Sequence, residues 1–184
     1  TFSFFRNRAH PFEDAVTRSY RAIDVLGHRE RVAKSTESHP YQCLPADGFY
    51  AHALSLLGRS ENVRIELGVT TRSVRDAGSH AEIETDRGSL RAGLVLDARG
   101  KIERTAAIEG DVRWVQHFGG IEVKVESPIF EPAVATLMDF RVSQERGPHF
   151  VYVLPTSPRE ALVEDTYFGE RPEDLAHYES NARS

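Results

Sequence analysis

Residues 150–167 carry the pattern that most limits how this chain can fold. Phe150-Val151-Tyr152-Val153-Leu154 is a continuous run of aromatic and β-branched residues, and Ala161 to Tyr167 is a second run of the same kind. Between them lies Pro155-Thr156-Ser157-Pro158, whose prolines and small polar residues interrupt regular structure. Strand formers flanking such a segment predict two antiparallel strands joined as a hairpin. Two acidic residues, Glu164 and Asp165, sit side by side in the second strand. Successive side chains of a strand point to opposite faces, so Leu162, Glu164 and Thr166 share one face while Val163 and Asp165 take the other.

Further strands are predicted around this hairpin. Arg113 to Glu126 is long and carries Gly119-Gly120 near its middle, a pair that suggests a bulge or bend. Ala133 to Phe140 is another strand. Upstream, Val63 to Leu67 and Ala81 to Thr85 alternate apolar with polar residues, Thr70 to Arg75 is extended, and Leu90 to Leu96 is apolar enough to suggest a buried strand. A helix is expected over residues 47–57, between Pro45 and Gly58, with Phe49, Ala53, Leu56 and Leu57 on its packed face. Another opens at Pro172, with Glu173 and Asp174 in its first turn. Residues 1–40 are polar and irregular in pattern. The resulting expectation is an α+β fold with a large, mostly antiparallel sheet.

Composition narrows the function classes. Hydrophobic residues make up 40% and charged residues 28%, as in a globular protein. A net charge of -5 supplies no basic field for nucleic acid. The one cysteine, Cys43, allows no intrachain disulfide and fits a reducing compartment. No stretch approaches the roughly 20 apolar residues of a spanning helix. There is no H-E-x-x-H or paired C-x-x-C, so no metal site is predicted, and no G-x-G-x-x-G or phosphate-binding loop. The eight histidines are scattered singly and suggest no catalytic role. The chain begins at Thr1 and ends at Ser184 inside a helical pattern, which reads as a piece of a longer protein.

The residues alone leave the chemistry open. Glu164 and Asp165 are either solvated groups at a strand end, or one of them is a carboxyl in an apolar setting, kept protonated near neutral pH as a general acid. Trp114, Phe118, Phe140, Phe150 and Tyr152 are either core or the lining of an apolar pocket whose ring faces stabilise a cation. Asp97, Arg99 and Gly100, at the end of the Leu94-to-Leu96 run, are either an ordinary turn or a point of close approach to a nucleotide.

Taken in order, these segments resemble the lycopene cyclase family. Leu96-Asp97-Ala98-Arg99-Gly100 is similar to its D-x-R-G segment, Gln116 to Glu122 to Q-x-F-x-G-x-E, and Met138 to Gln144 to M-D-x-x-x-x-Q. Phe150 to Pro158 is similar to F-x-Y-x-L-P-x-S-P, and Leu162 to Thr166 to I/L-x-E-D/E-T. The resemblance is specific over residues 94–168 and weak before residue 40. It implies a central piece of a β-cyclase with flavin-monooxygenase-like architecture, residues 1–110 being part of an FAD-binding domain and 111–184 part of a sheet-rich substrate domain. It implies reduced FAD with NAD(P)H as reductant, lycopene or a related linear carotenoid as substrate, and a redox-neutral, acid-catalysed ring closure. Glu164 would be the acid, with Asp165 second. Asp97, Arg99 and Gly100 would approach the flavin nucleotide, and the five aromatics would line the polyene site. A cytoplasmic enzyme lying against a membrane is expected. The family's N-terminal G-x-G-x-x-G is missing, so this chain alone is expected to lack a full FAD seat. Competing expectations are another flavin enzyme of the same fold (a hydroxylase, halogenase or geranylgeranyl reductase) and a non-catalytic apolar-ligand domain.

Overall fold

The computed structural model describes residues 1–99 and 114–181. It forms two compact units: Thr1–Leu56 together with Val112–Ser184, and Leu57–Asp111. The first unit is discontinuous in sequence because strands from both parts of the chain share one sheet.

That sheet contains six strands among the described residues: β3 (Ala22–Leu26), β4 (Arg31–Ser35), β9 (Val115–Lys124), β10 (Val134–Asp139), β11 (His149–Ser157) and β12 (Glu160–Gly169). Their order is β4-β3-β10-β11-β12-β9. All pairs are antiparallel except β3 with β10, which run parallel from Ala22↔Val134 onward. A second, three-stranded sheet, β1-β5-β2, is built from β1 (Phe2–Phe5), β2 (Arg18–Tyr20) and β5 (Tyr41–Leu44). Helix α1 (Ala46–Leu57) follows β5 directly, and helix α2 (Leu175–Asn181) follows β12.

The core lies between these two sheets. Tyr20 and Cys43 from the small sheet meet Ala135 and Leu154 from the large one, with Ile23, Tyr41, Leu137 and Leu162 packed around them. Buried Tyr20 donates its hydroxyl hydrogen to the Pro155 carbonyl at 2.9 Å. That bond ties the sheets together and satisfies a polar group that would be costly to bury alone.

The hairpin forms as expected, but β11 runs through Pro155 to Ser157, so the turn is confined to Pro158 and Arg159. Residues 1–40, expected to be irregular, instead hold β1 to β4 and a short 3-10 turn. Edge strand β4 is exposed along its whole length, so no apolar alternation announces it. In α1, Phe49 packs on Phe2 and Phe12, while Leu56 and Leu57 are exposed. Strands dominate, and α-helix is confined to α1 and α2 among the described residues.

The second unit is a three-stranded antiparallel sheet of β6 (Thr71–Asp76), β7 (Ala81–Thr85) and β8 (Gly88–Ala92). Two expectations fail here. Val63 to Leu67 is not a strand, and the apolar run Leu90 to Leu96 leaves β8 at Ala92, with Leu94 78% and Leu96 87% exposed. Gly93 follows the last residue of the ladder, and the leucines beyond it are exposed.

Candidate active site

The register of β12 places every group that matters in the first unit. Glu164 stands opposite Tyr152 on β11 and Gly120 on β9; Asp165 stands opposite Val151 and Gly119. Antiparallel partners share a face. Glu164 therefore shares its face with Tyr152, Phe150, Leu154 and Leu162, on the side covered by the small sheet. Asp165 points to the other side, as the two-residue period predicts.

The Gly119-Gly120 pair makes no bulge, because β9 pairs with β12 without interruption from Val115 to Lys124. Each glycine answers to a close neighbour instead. A Cβ on Gly120 would meet Glu164 Cγ at 3.0 Å, and a Cβ on Gly119 would meet Tyr178 of α2 at 2.5 Å. Gly120 thus opens the space that the Glu164 side chain occupies.

Glu164 is half-buried, and burial pushes its carboxyl above the usual range, toward the protonated form. Burial does the same to Tyr152, and the facing Glu164 carboxyl adds to it. Tyr41 is pushed up to about 12, by burial first and then by its neighbours Tyr152, Cys43 and Glu164. A carboxyl whose burial favours the protonated form therefore sits among phenols and apolar side chains, the setting that suits a general acid.

Of the five aromatics, Tyr152 stands opposite Glu164, and Phe150 and Phe140 continue from it ring against ring. Phe150 is buried, with its ring centroid 5.5 Å from Phe140 and 5.2 Å from Tyr152. Phe118 lies on the same sheet face but is 61% exposed, and Trp114 lies before β9 and is 54% exposed. In the second unit, Asp97 and Arg99 form a forked ion pair (2.8 and 2.7 Å), and Arg99 also reaches the Thr71 carbonyl at 3.0 Å. Gly100 lies outside the described residues. The guanidinium of Arg99 is thus engaged by its own turn and by Thr71. Among the described residues, no group of histidine, cysteine and acidic side chains could hold a metal ion, and no helix is long and apolar enough to cross a membrane.

The opposite face holds a cluster that the single histidines did not suggest. His149 Nδ1 donates to the Ser143 carbonyl at 2.8 Å, while its Nε2 meets Asp165 Oδ1. A carbonyl only accepts, so Nδ1 is a ring nitrogen that carries a hydrogen. Asn181 of α2 donates to Asp165 Oδ2 at 3.1 Å and to the Tyr167 hydroxyl at 2.7 Å. The Tyr167 ring is stacked between His149 and His117, at centroid distances of 3.9 and 5.5 Å, and His117 Nδ1 meets the Tyr178 hydroxyl. The period of β11 and β12 puts His149, Asp165 and Tyr167 on one face, which was the available signal. The partners from α2 had none, because they depend on how the helix docks.

Comparison with known proteins bears on this geometry. A family model described as lycopene cyclase protein matches residues 1–182. A lycopene beta-cyclase from Pseudescherichia vulneris is 31% identical over 148 residues, covering 79% of this chain and 33% of that protein. One from Paracoccus sp. (strain N81106 / MBIC 01143) is 36% identical over 81 residues, covering 44% of this chain and 20% of that protein. The chain spans a third or less of the length of these curated relatives. Among solved structures, that of tetracycline destructase Tet(51) aligns with a TM-score of 0.44 and 11% identity, covering 91% of this chain and 44% of that one. The match over nearly the whole sequence establishes that the chain belongs to the lycopene cyclase family.

Proposed function

We propose that the chain is the central portion of a lycopene β-cyclase and that Glu164 is its general acid. The observation that carries this reading is the Glu164 carboxyl: half-buried, held toward its protonated form, facing Tyr152, and given room by Gly120. Asp165 is the weaker candidate, since both its oxygens are hydrogen-bonded on the other side of the sheet.

In this reading the Glu164 proton adds to the terminal double bond of a linear carotenoid end and leaves a tertiary cation. The neighbouring double bond attacks the cation and closes a six-membered ring, and loss of a ring proton completes a redox-neutral isomerisation. Tyr152, Phe150 and Phe140 would turn ring faces toward the cation, an attraction worth about 2 kcal/mol or more per ring when water is excluded. Reduced FAD, with NAD(P)H as reductant, belongs to the proposal for the complete protein, with its seat formed largely outside this chain. Cytoplasmic location and peripheral contact with a membrane, which would supply so apolar a substrate, belong to it as well.

The test uses the complete protein in lipid vesicles with reduced FAD and lycopene, the carotenoids being separated by chromatography. Wild type should yield cyclised product, and Glu164→Gln, melting at a similar temperature, should yield none. Cyclised product from both would remove Glu164 as the acid. An oxidised or reduced product from wild type, with no ring, would transfer the reading to another class of flavin enzyme.

A further inference from the structure

Ring closure by this route delivers one proton, from Glu164, and removes another. A base separate from Glu164 would lie on the same sheet face, close to it yet far enough away for a ring to fit between them. Asp165 is excluded by facing the other way. Tyr152 and Tyr41 are phenols whose surroundings favour keeping their own protons.

Strand β9 supplies a candidate. Phe118, Gly120 and Glu122 alternate onto the Glu164 face, in register with Thr166, Glu164 and Leu162 of β12. Glu122 is thus the diagonal neighbour of Glu164 across the strand pair, a position typically about 7–8 Å away. Gly120 puts no side chain between them. Glu122 lies in the wall of a cavity of about 400 Å³, also lined by Tyr20, Cys43, Leu154 and Leu162. It is exposed where Glu164 is half-buried. Two carboxyls in contrasting surroundings, one sheltered and one open to water, are the arrangement that separates an acid from a base.

Resting on the cyclase reading, we propose that Glu122 is the base that removes the ring proton and so decides where the ring double bond forms. The O–H bond of Glu164 breaks and its hydrogen joins the terminal alkene carbon. The π pair of the inner double bond becomes the new ring C–C bond. A ring C–H pair becomes the ring double bond as that hydrogen passes to a Glu122 oxygen. Glu122, being exposed, then releases its proton to solvent, and Glu164 takes one up before the next turnover. No electron enters or leaves.

The position of the ring double bond records which proton was taken, and it gives a readout that a merely structural role would not move. With the complete protein, reduced FAD and lycopene in vesicles, Glu122→Gln should lower turnover roughly 10²-fold or more, the usual contribution of a positioned base. The residual product should be a mixture of double-bond isomers where wild type makes one. Glu122→Asp should recover the wild-type isomer at a reduced rate. An exposed Glu→Gln change should leave the melting temperature unaltered. Wild-type isomer ratios from Glu122→Gln would overturn the proposal, whether or not the rate falls. Failure of wild type to cyclise at all would instead sink the cyclase reading, so the two failures are distinct.

Discussion

Replacing Gly119 with alanine would place a methyl carbon 2.5 Å from both Cβ and Cγ of Tyr178. Carbon atoms in contact prefer about 3.5–4.0 Å, so roughly 1 Å must be found somewhere. Tyr178 Cβ is fixed to the backbone of α2 and cannot rotate away; the helix itself must lift from the sheet. Overpacking of this kind costs about 1–3 kcal/mol. The lost chain freedom of glycine in a strand returns about 0.5–1 kcal/mol. The net loss of up to about 2.5 kcal/mol corresponds to as much as roughly 5–10 °C in melting temperature for a protein of this size. Calorimetry of Gly119→Ala, Tyr178→Ala and the double variant measures it, and the methyl should cost little once the ring is gone, a coupling of about 1–2 kcal/mol. Gly120→Ala is the internal contrast. Its methyl meets the flexible Glu164 Cγ at 3.0 Å, so the side chain yields rather than the fold. Melting should hardly change, while cyclisation falls, because the Glu164 side chain must shift by a few tenths of an ångström. The reasoning is refuted if Gly119→Ala melts at or above the wild-type temperature, or loses as much stability without the Tyr178 ring as with it.

Two more outcomes follow from the opposed carboxyls. Burial raises the folded-state pKa of Glu164 above its ordinary 4.5, so between those values the folded chain keeps a proton that the unfolded chain has released, and stability falls as pH rises through that window. Glu164→Gln removes the slope: its melting temperature relative to wild type should climb from about pH 4 to about pH 8, and a flat difference would contradict the burial argument. Asp165→Ala strips a buried group from His149 and Asn181 and should cost about 3–5 kcal/mol in urea unfolding; a loss near zero would show that the cluster does not hold α2 to the sheet.

The parts of the fold that could be read in advance are those whose side chains obey a single demand. The hairpin strands show strand formers bounded by a Pro-rich turn, and helix α1 shows its start and stop signals at Pro45 and Gly58, although Leu56 and Leu57, expected on its packed face, are exposed. Glu164 and Asp165 could be set on opposite faces from the strand period alone. The expected buried strand at Leu90 to Leu96 fails because an apolar run specifies burial only where a partner exists, and Leu94 and Leu96 are left exposed. Strand β4 was hidden for the opposite reason: an exposed edge needs no apolar residues. Gly119-Gly120 signals a constraint without naming it, since close approach of Tyr178 and Glu164 requires glycine as surely as a bulge does. The His149, Asp165 and Tyr167 cluster follows from hairpin register, whereas its α2 partners depend on docking, which local pattern does not encode.

The parallel seam between β3 and β10 also sets a timetable. Ala22 leaves the ribosome long before Val134, and the whole Leu57–Asp111 unit is made in between. Until β10 arrives, β3 has only β4 beside it, and a lone two-stranded ribbon is marginal in water. The β10-to-β12 meander and β9, being contiguous, can assemble first and then capture the waiting β3 edge, a distant closure that makes folding slow. The carboxyl face would thus acquire its cover last, and until then Glu164 would stand in open water as an ordinary carboxylate.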